Sequence, residues 1–154
     1  MANATNQIEQ PLSRNDLKKI SKTRLKEAKI LCDNKLYDGA LYLYGYVIET
    51  ALKARICKIL QTDFPPSGKS AKAYKVHDLE ELILLAGLKK DFQFKLNNDI
   101  PFKTNWSLIS PWVEILRYKP IVRKDAQTKT NIINIYSALT DRRTGILTWI
   151  MKKW

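Results

Sequence analysis

The sequence predicts an all-α fold, an up-and-down helical bundle of four main helices plus one or two short ones. Three observations carry that reading. Apolar residues recur three or four positions apart through most of the chain. No alternating run bounded by turn dipeptides marks a pair of strands. Only five glycines and six prolines punctuate 154 residues, too few for the many turns of an all-β chain. One domain is natural at this length, and an apolar fraction of 45% is enough to build a core. There is no internal repeat and no low-complexity tract.

Residues 1–12 read as a loose polar tail ending near Pro11, with no apolar run of the secretory kind. Residues 13–154 read as the single helical domain. Ser13 followed by Asp16 resembles a capping box and should start helix one. Leu17, Ile20, Ala28 and Leu31 share its apolar face, while Lys18, Lys22, Lys26 and Lys29 form a stripe along another. That stripe reads first as a solvated helix face and second as a surface that contacts phosphates. Asp33 and Asn34 end the helix, and the short connection makes the next helix its antiparallel neighbour.

The second helix, from Tyr37 to about Leu60, is the centre of the chain. Ala40, Leu43, Tyr44, Val47, Ala51 and Ala54 line one side, and Leu41, Ile48, Leu52 and Ile59 widen it. A helix apolar over most of its girth belongs in the middle of a bundle. Its charges rule out a membrane span. Gly39 and Gly45 cost helix propensity, about 1 kcal/mol each relative to Ala, and point to the close approach of a neighbouring helix. Glu49 and Lys53 form an i,i+4 pair beside Tyr42 and Tyr46.

A loop then runs through Pro65-Pro66 and Ser67-Gly68. Its Gly68-Lys69-Ser70 is not a phosphate loop, because Asp63 stands where the upstream glycine is required. Lys69, Lys72 and Lys75 remain available to anions. His77-Asp78 opens helix three, with Leu79, Leu82, Ile83 and Ala86 inside and Gly87 beyond its end. Phe92, Phe94 and Leu96 alternate in a short helix or an irregular arm. Ser110-Pro111 looks like a cap with proline in the first turn, starting a short helix to about Arg117 that buries Trp112, Ile115 and Leu116. Residues 126–154 read as one last helix with Ile132, Ile135 or Tyr136, Leu139, Ile146 and Ile150 as its core stripe.

The net charge of +12 suits a nucleic acid, a nucleotide or an acidic protein partner, although lysines scattered over the chain also fit a merely solvated surface. Cys32 and Cys57 lack metal-ligand spacing and read as reduced core thiols of a cytoplasmic protein. His77 is the only histidine, so no histidine-based metal site is expected, and no cofactor.

In this order and spacing several short pieces resemble a HEPN domain. They are Arg24-Leu25-Lys26-Glu27-Ala28, then Tyr37-Asp38-Gly39-Ala40, then Tyr42 through Glu49 and Ala51-Leu52-Lys53-Ala54. His77-Asp78-Leu79, Arg117-Tyr118-Lys119-Pro120 and a terminal helix near Trp149 follow. The resemblance covers roughly residues 14–152. It implies a homodimer of small helical bundles, in a toxin–antitoxin or defence setting, with a possible nucleotidyltransferase partner. Many such domains are metal-independent endoribonucleases that carry an arginine followed four to six residues later by a histidine. Here no histidine follows Arg117, Arg142 or Arg143. The resemblance then points to the non-nuclease branch, an accessory protein engaging a nucleotide, RNA or a partner protein. The alternatives are a divergent ribonuclease and a purely structural interaction module.

The candidate ligand-binding residues are Glu49, Lys53, Arg117, Tyr118, His77 and Asp78, with Lys18, Lys22, Lys26 and Lys29 as phosphate contacts. No residue is assigned a catalytic role. Trp106, Trp112, Trp149 and Trp154 are the candidates for a dimer contact.

Overall fold

The computed structural model describes residues 12–66, 71, 75–119 and 125–154. Among them it has seven α-helices and no strand: α1 (Arg14–Asp33), α2 (Tyr37–Ile59), α3 (Leu79–Leu85), α4 (Lys89–Asn98), α5 (Ile100–Ile109), α6 (Ala126–Thr140) and α7 (Ile146–Met151). A 3-10 turn, Glu114–Arg117, stands between α5 and α6. The expected tail through Pro11 and the loop lysines Lys69 and Lys72 lie outside the described residues.

The longest interface joins α1 to α2. Ser13 caps α1 in a full capping box with Asp16, as the spacing predicts. The helix closes at Asn34, and Lys35, at φ 61°, turns the chain back. Leu36 N–H donates to the Leu31 carbonyl and Lys35 N–H to that of Cys32, which satisfies the last carbonyls of α1. In α2 the side chains of Ala40, Tyr44, Val47, Ile48, Ala51 and Leu52 are all fully buried. The helix touches α1, α3, the 3-10 turn, α6 and α7, so it is the axle of the molecule. Both cysteines are buried thiols.

The same core continues into an aromatic cluster. Phe92 from α4, Phe102 and Trp106 from α5 and Trp149 from α7 pack ring to ring, with Phe92 and Trp106 centroids 4.9 Å apart. Three expectations change here. The first concerns α5, whose N-cap is Asp99, with Pro101 in the first turn. Ser110 ends that helix instead of beginning the next, so only the 3-10 turn follows, and Ile115 is exposed. The second concerns the single terminal helix, which is broken at residues 141–145. Asp141 carboxylate accepts from the N–H groups of Arg143 and Thr144 and from the Thr144 hydroxyl. A β-carbon on Gly145 would lie 2.5–2.7 Å from the backbone of Leu139 and Asp141, so the reversal admits only glycine. The third concerns the tryptophans: Trp106, Trp112 and Trp149 are buried in the core and are not available to a second subunit. The alternation of Phe92, Phe94 and Leu96 belongs to helix α4, which buries Phe92 and leaves Phe94 in solvent.

Candidate functional site

Gly45 decides where the site forms. It is buried on α2, and the Trp112 indole lies flat against its bare α-carbon, where any β-carbon would stand inside the ring. The indole N–H donates to the Tyr42 carbonyl at 3.1 Å. The close approach expected at Gly45 is thus made by a side chain from outside any helix, whereas at Gly39 it is made by the Leu31 side chain of helix α1, 3.1 Å from a built β-carbon. Trp112 fixes the start of the segment that becomes the 3-10 turn, and so sets Glu114 and Arg117 over α2.

From the other side comes His77, held just ahead of α3 because Asp78 caps that helix by accepting from the Glu81 N–H. The result is a chain in which basic side chains alternate with carboxylates. Lys53 Nζ donates to Glu49 Oε1 at 2.6 Å, and His77 Nδ1 lies 3.0 Å from the same oxygen. His77 Nε2 lies 3.3 Å from Glu114 Oε2, and the other Glu114 oxygen pairs with Arg117. Carboxylates only accept, so the imidazole satisfies both neighbours when each ring nitrogen carries a proton. The chain runs from the interior to the surface. The Glu49 side chain is 3% exposed and that of Lys53 10%, against 38% for His77 and 39% for Arg117. The Arg117 guanidinium also covers the ring of Tyr118, which is otherwise largely exposed.

Beside the buried end lies a pocket of about 230 Å³ lined by Leu12, Leu17, Tyr46, Glu49, Thr50, Lys53 and Pro65. Tyr42 and Tyr46 stack with their planes 8° apart. Burial pushes the Tyr46 phenol above its ordinary pKa, and the carboxylate of Glu49 adds to it, with Arg24 and Arg117 opposing. Tyr46 therefore remains a neutral hydrogen-bond donor across the physiological range.

Four of the six ligand-binding candidates, Glu49, Lys53, His77 and Arg117, meet in this one network. Tyr118 flanks it through Arg117, and Asp78 is a helix cap outside it. The lysine stripe divides. Lys29 is paired with Asp33 at 2.6 Å, Lys18 and Lys22 stand over the ring of Trp154, and Lys26 is exposed. Sequence reasoning misses Glu114, the link between His77 and Arg117. Its only signal is a position three residues before an arginine in a helical turn. Among the described residues no group of three or more His, Cys, Asp or Glu side chains is placed to hold a metal ion. None of the helices searched is long and apolar enough to cross a membrane. Comparison with protein-family models, curated proteins and solved structures finds no match.

Proposed function

We propose that this chain is a HEPN-like helical accessory protein, a homodimer that binds a nucleotide beside α2 and does not transform it. The observation that carries this reading is the network that joins Lys53, His77 and Arg117, from three separate segments, through Glu49 and Glu114, and whose buried end, Glu49 and Lys53, lines a pocket together with Tyr46. Lys53, His77 and Arg117 supply nitrogen groups able to hydrogen-bond a phosphate, and Tyr46 adds a neutral donor. A volume of about 230 Å³ is below the roughly 300–1,000 Å³ of drug-sized sites. It suits a ribose phosphate or a base in place of a dinucleotide. Glu49 and Glu114 already engage every basic member of the network, which favours holding a ligand over moving its protons.

The test is thermal melting of the purified chain with nucleoside mono-, di- and triphosphates. A rise in melting temperature that Arg117→Glu abolishes is expected. An unchanged melting temperature with every nucleotide would sink the proposal and leave a purely structural module. A nucleotidyltransferase partner remains part of the same proposal, to be sought by co-purification with the protein encoded beside it.

One observation favours a second reading, the divergent metal-independent ribonuclease. The single histidine, forty residues before Arg117 in sequence, meets it in space through Glu114. The geometry thereby supplies an arginine–histidine pairing that the linear spacing lacks. Cleavage of RNA by the purified chain in the presence of a chelator, lost in Arg117→Ala, would establish that reading over the first.

A further inference from the structure

A second cationic surface lies apart from this network, where the first half of α1 meets the end of α2. Arg14, Lys18 and Lys22 follow one another at intervals of four along α1, so they form a row about 12 Å long. Lys58 of α2 joins them. Lys18, Lys22 and Lys58 meet at one residue, since the first two stand over the Trp154 ring and the third donates to the Trp154 main-chain oxygen. Burial lowers the affinity of Lys18 for its proton, and repulsion from Arg14, Lys58 and Lys22 adds to it. Among the described residues no aspartate or glutamate side chain pairs with any of the four.

What holds Lys18 and Lys22 is an aromatic ring. The ammonium groups of Lys18 and Lys22 stand 5.4 and 5.6 Å from the centroid of Trp154. That indole is itself fixed, because its N–H donates to the Ala51 carbonyl at 3.1 Å. Arg55 and Lys58 donate to the main-chain carbonyls of residues 153 and 154. A π-face restrains an ammonium without neutralising it, as a carboxylate would. Lys18 and Lys22 are therefore held in place without a carboxylate partner.

We propose that this surface binds the phosphodiester backbone of single-stranded nucleic acid. The four-residue spacing on α1, about 6 Å along the axis, is comparable to the separation of successive phosphates on one strand. A single narrow row serves one strand, whereas a duplex presents phosphates on both sides of each groove. Cations and one indole read neither sugar nor base, so RNA and DNA strands bind alike. The inference uses no residue of the nucleotide network and stands or falls without it.

The test is fluorescence anisotropy with labelled 15-mers of uridylate and thymidylate, titrated with the full chain from 50 to 300 mM KCl. Similar affinities for both are expected, with log K falling against log salt at a slope of about −2 to −3 for three or four phosphates. Lys18→Glu with Lys22→Glu should weaken binding at least about tenfold and flatten the slope by about 1.4, at roughly 0.7 for each phosphate no longer neutralised. Lys18→Gln with Lys22→Gln gives a smaller loss in the same direction if the charge-reversed chain misfolds. Lys90→Glu with Lys103→Glu, the same charge change at exposed positions elsewhere, should leave binding near wild type. Equal losses in both pairs, tighter binding to a duplex, or preference for phosphatidylserine vesicles over either oligomer would each overturn the proposal. The nucleotide-dependent rise in melting temperature should survive Lys18→Glu with Lys22→Glu, so the two readings fail separately.

Discussion

Glu49 is 2% exposed and holds both Lys53 and His77 through one oxygen. Glu49→Ala takes the buried carboxylate away from Lys53, itself only 8% exposed, and is expected to cost about 3–5 kcal/mol. Lys53→Met removes a buried charge while Glu49 keeps His77, and should cost clearly less. Urea denaturation of the two variants side by side checks the order, and equal losses would show that the pair is not the buried anchor. At this scale the sequence is partly readable. An i,i+4 pair on a central helix is visible in the letters, and so is a lone histidine. Their meeting with Glu114 is not, because it depends on Trp112 lying against Gly45, a contact across more than sixty residues with no local pattern.

The helices end in ways that separate readable from unreadable signals. Three of them, α1, α2 and α3, close with a left-handed residue, namely Lys35 at φ 61°, Gln61 at φ 52° and Gly87 at φ 67°. Only Gly87 announces itself, since glycine alone adopts that conformation without penalty. Asp99 before Pro101 and Ser110 before Pro111 present the same starting signal, and only the helix itself shows which is used. The break in the terminal helix is legible in principle, because Asp141 and Gly145 bracket it. Carboxylate caps also carry a pH prediction. The Ser13 hydroxyl holds Asp16 below the usual carboxylate range, Lys95 does so for Asp99, and the Thr144 N–H for Asp141. Groups with depressed folded values contribute stability above their unfolded value, roughly 4. They lose it as pH falls through the folded one. The melting temperature should therefore drop from pH 5 to pH 2, and Asp141→Asn should make that drop smaller. Gly145→Ala should destabilise at every pH, by about 1–3 kcal/mol from overpacking.

For the molecule as a whole, the excess of 27 Lys and Arg over 15 Asp and Glu sets the behaviour in salt. Like charges repel more strongly in the compact state, and about 0.1 M salt screens beyond roughly 10 Å. Raising salt from 20 to 300 mM should lift the melting temperature by about 2–4 °C, for relief of about 1 kcal/mol. A fall would mean that the surface ion pairs outweigh the net repulsion. The all-α class is fully legible at this scale, from periodicity and the scarcity of turn residues. The division into seven helices, and the burial of three tryptophans among the described residues, are not. A tryptophan at helical spacing looks the same in sequence whether it faces the core or a partner.

Gly45 and Trp112 have a consequence in evolutionary terms. No side chain can be added at one position without withdrawing the ring at the other, so the two are inherited as one character and not two. Descendants of this chain can drift freely at exposed Leu84 or Phe94. At 45 and 112 they must change together, a larger residue on the helix accompanied by a smaller one in the turn. Such a paired exchange would identify a distant cousin after the rest of its sequence had ceased to resemble this one.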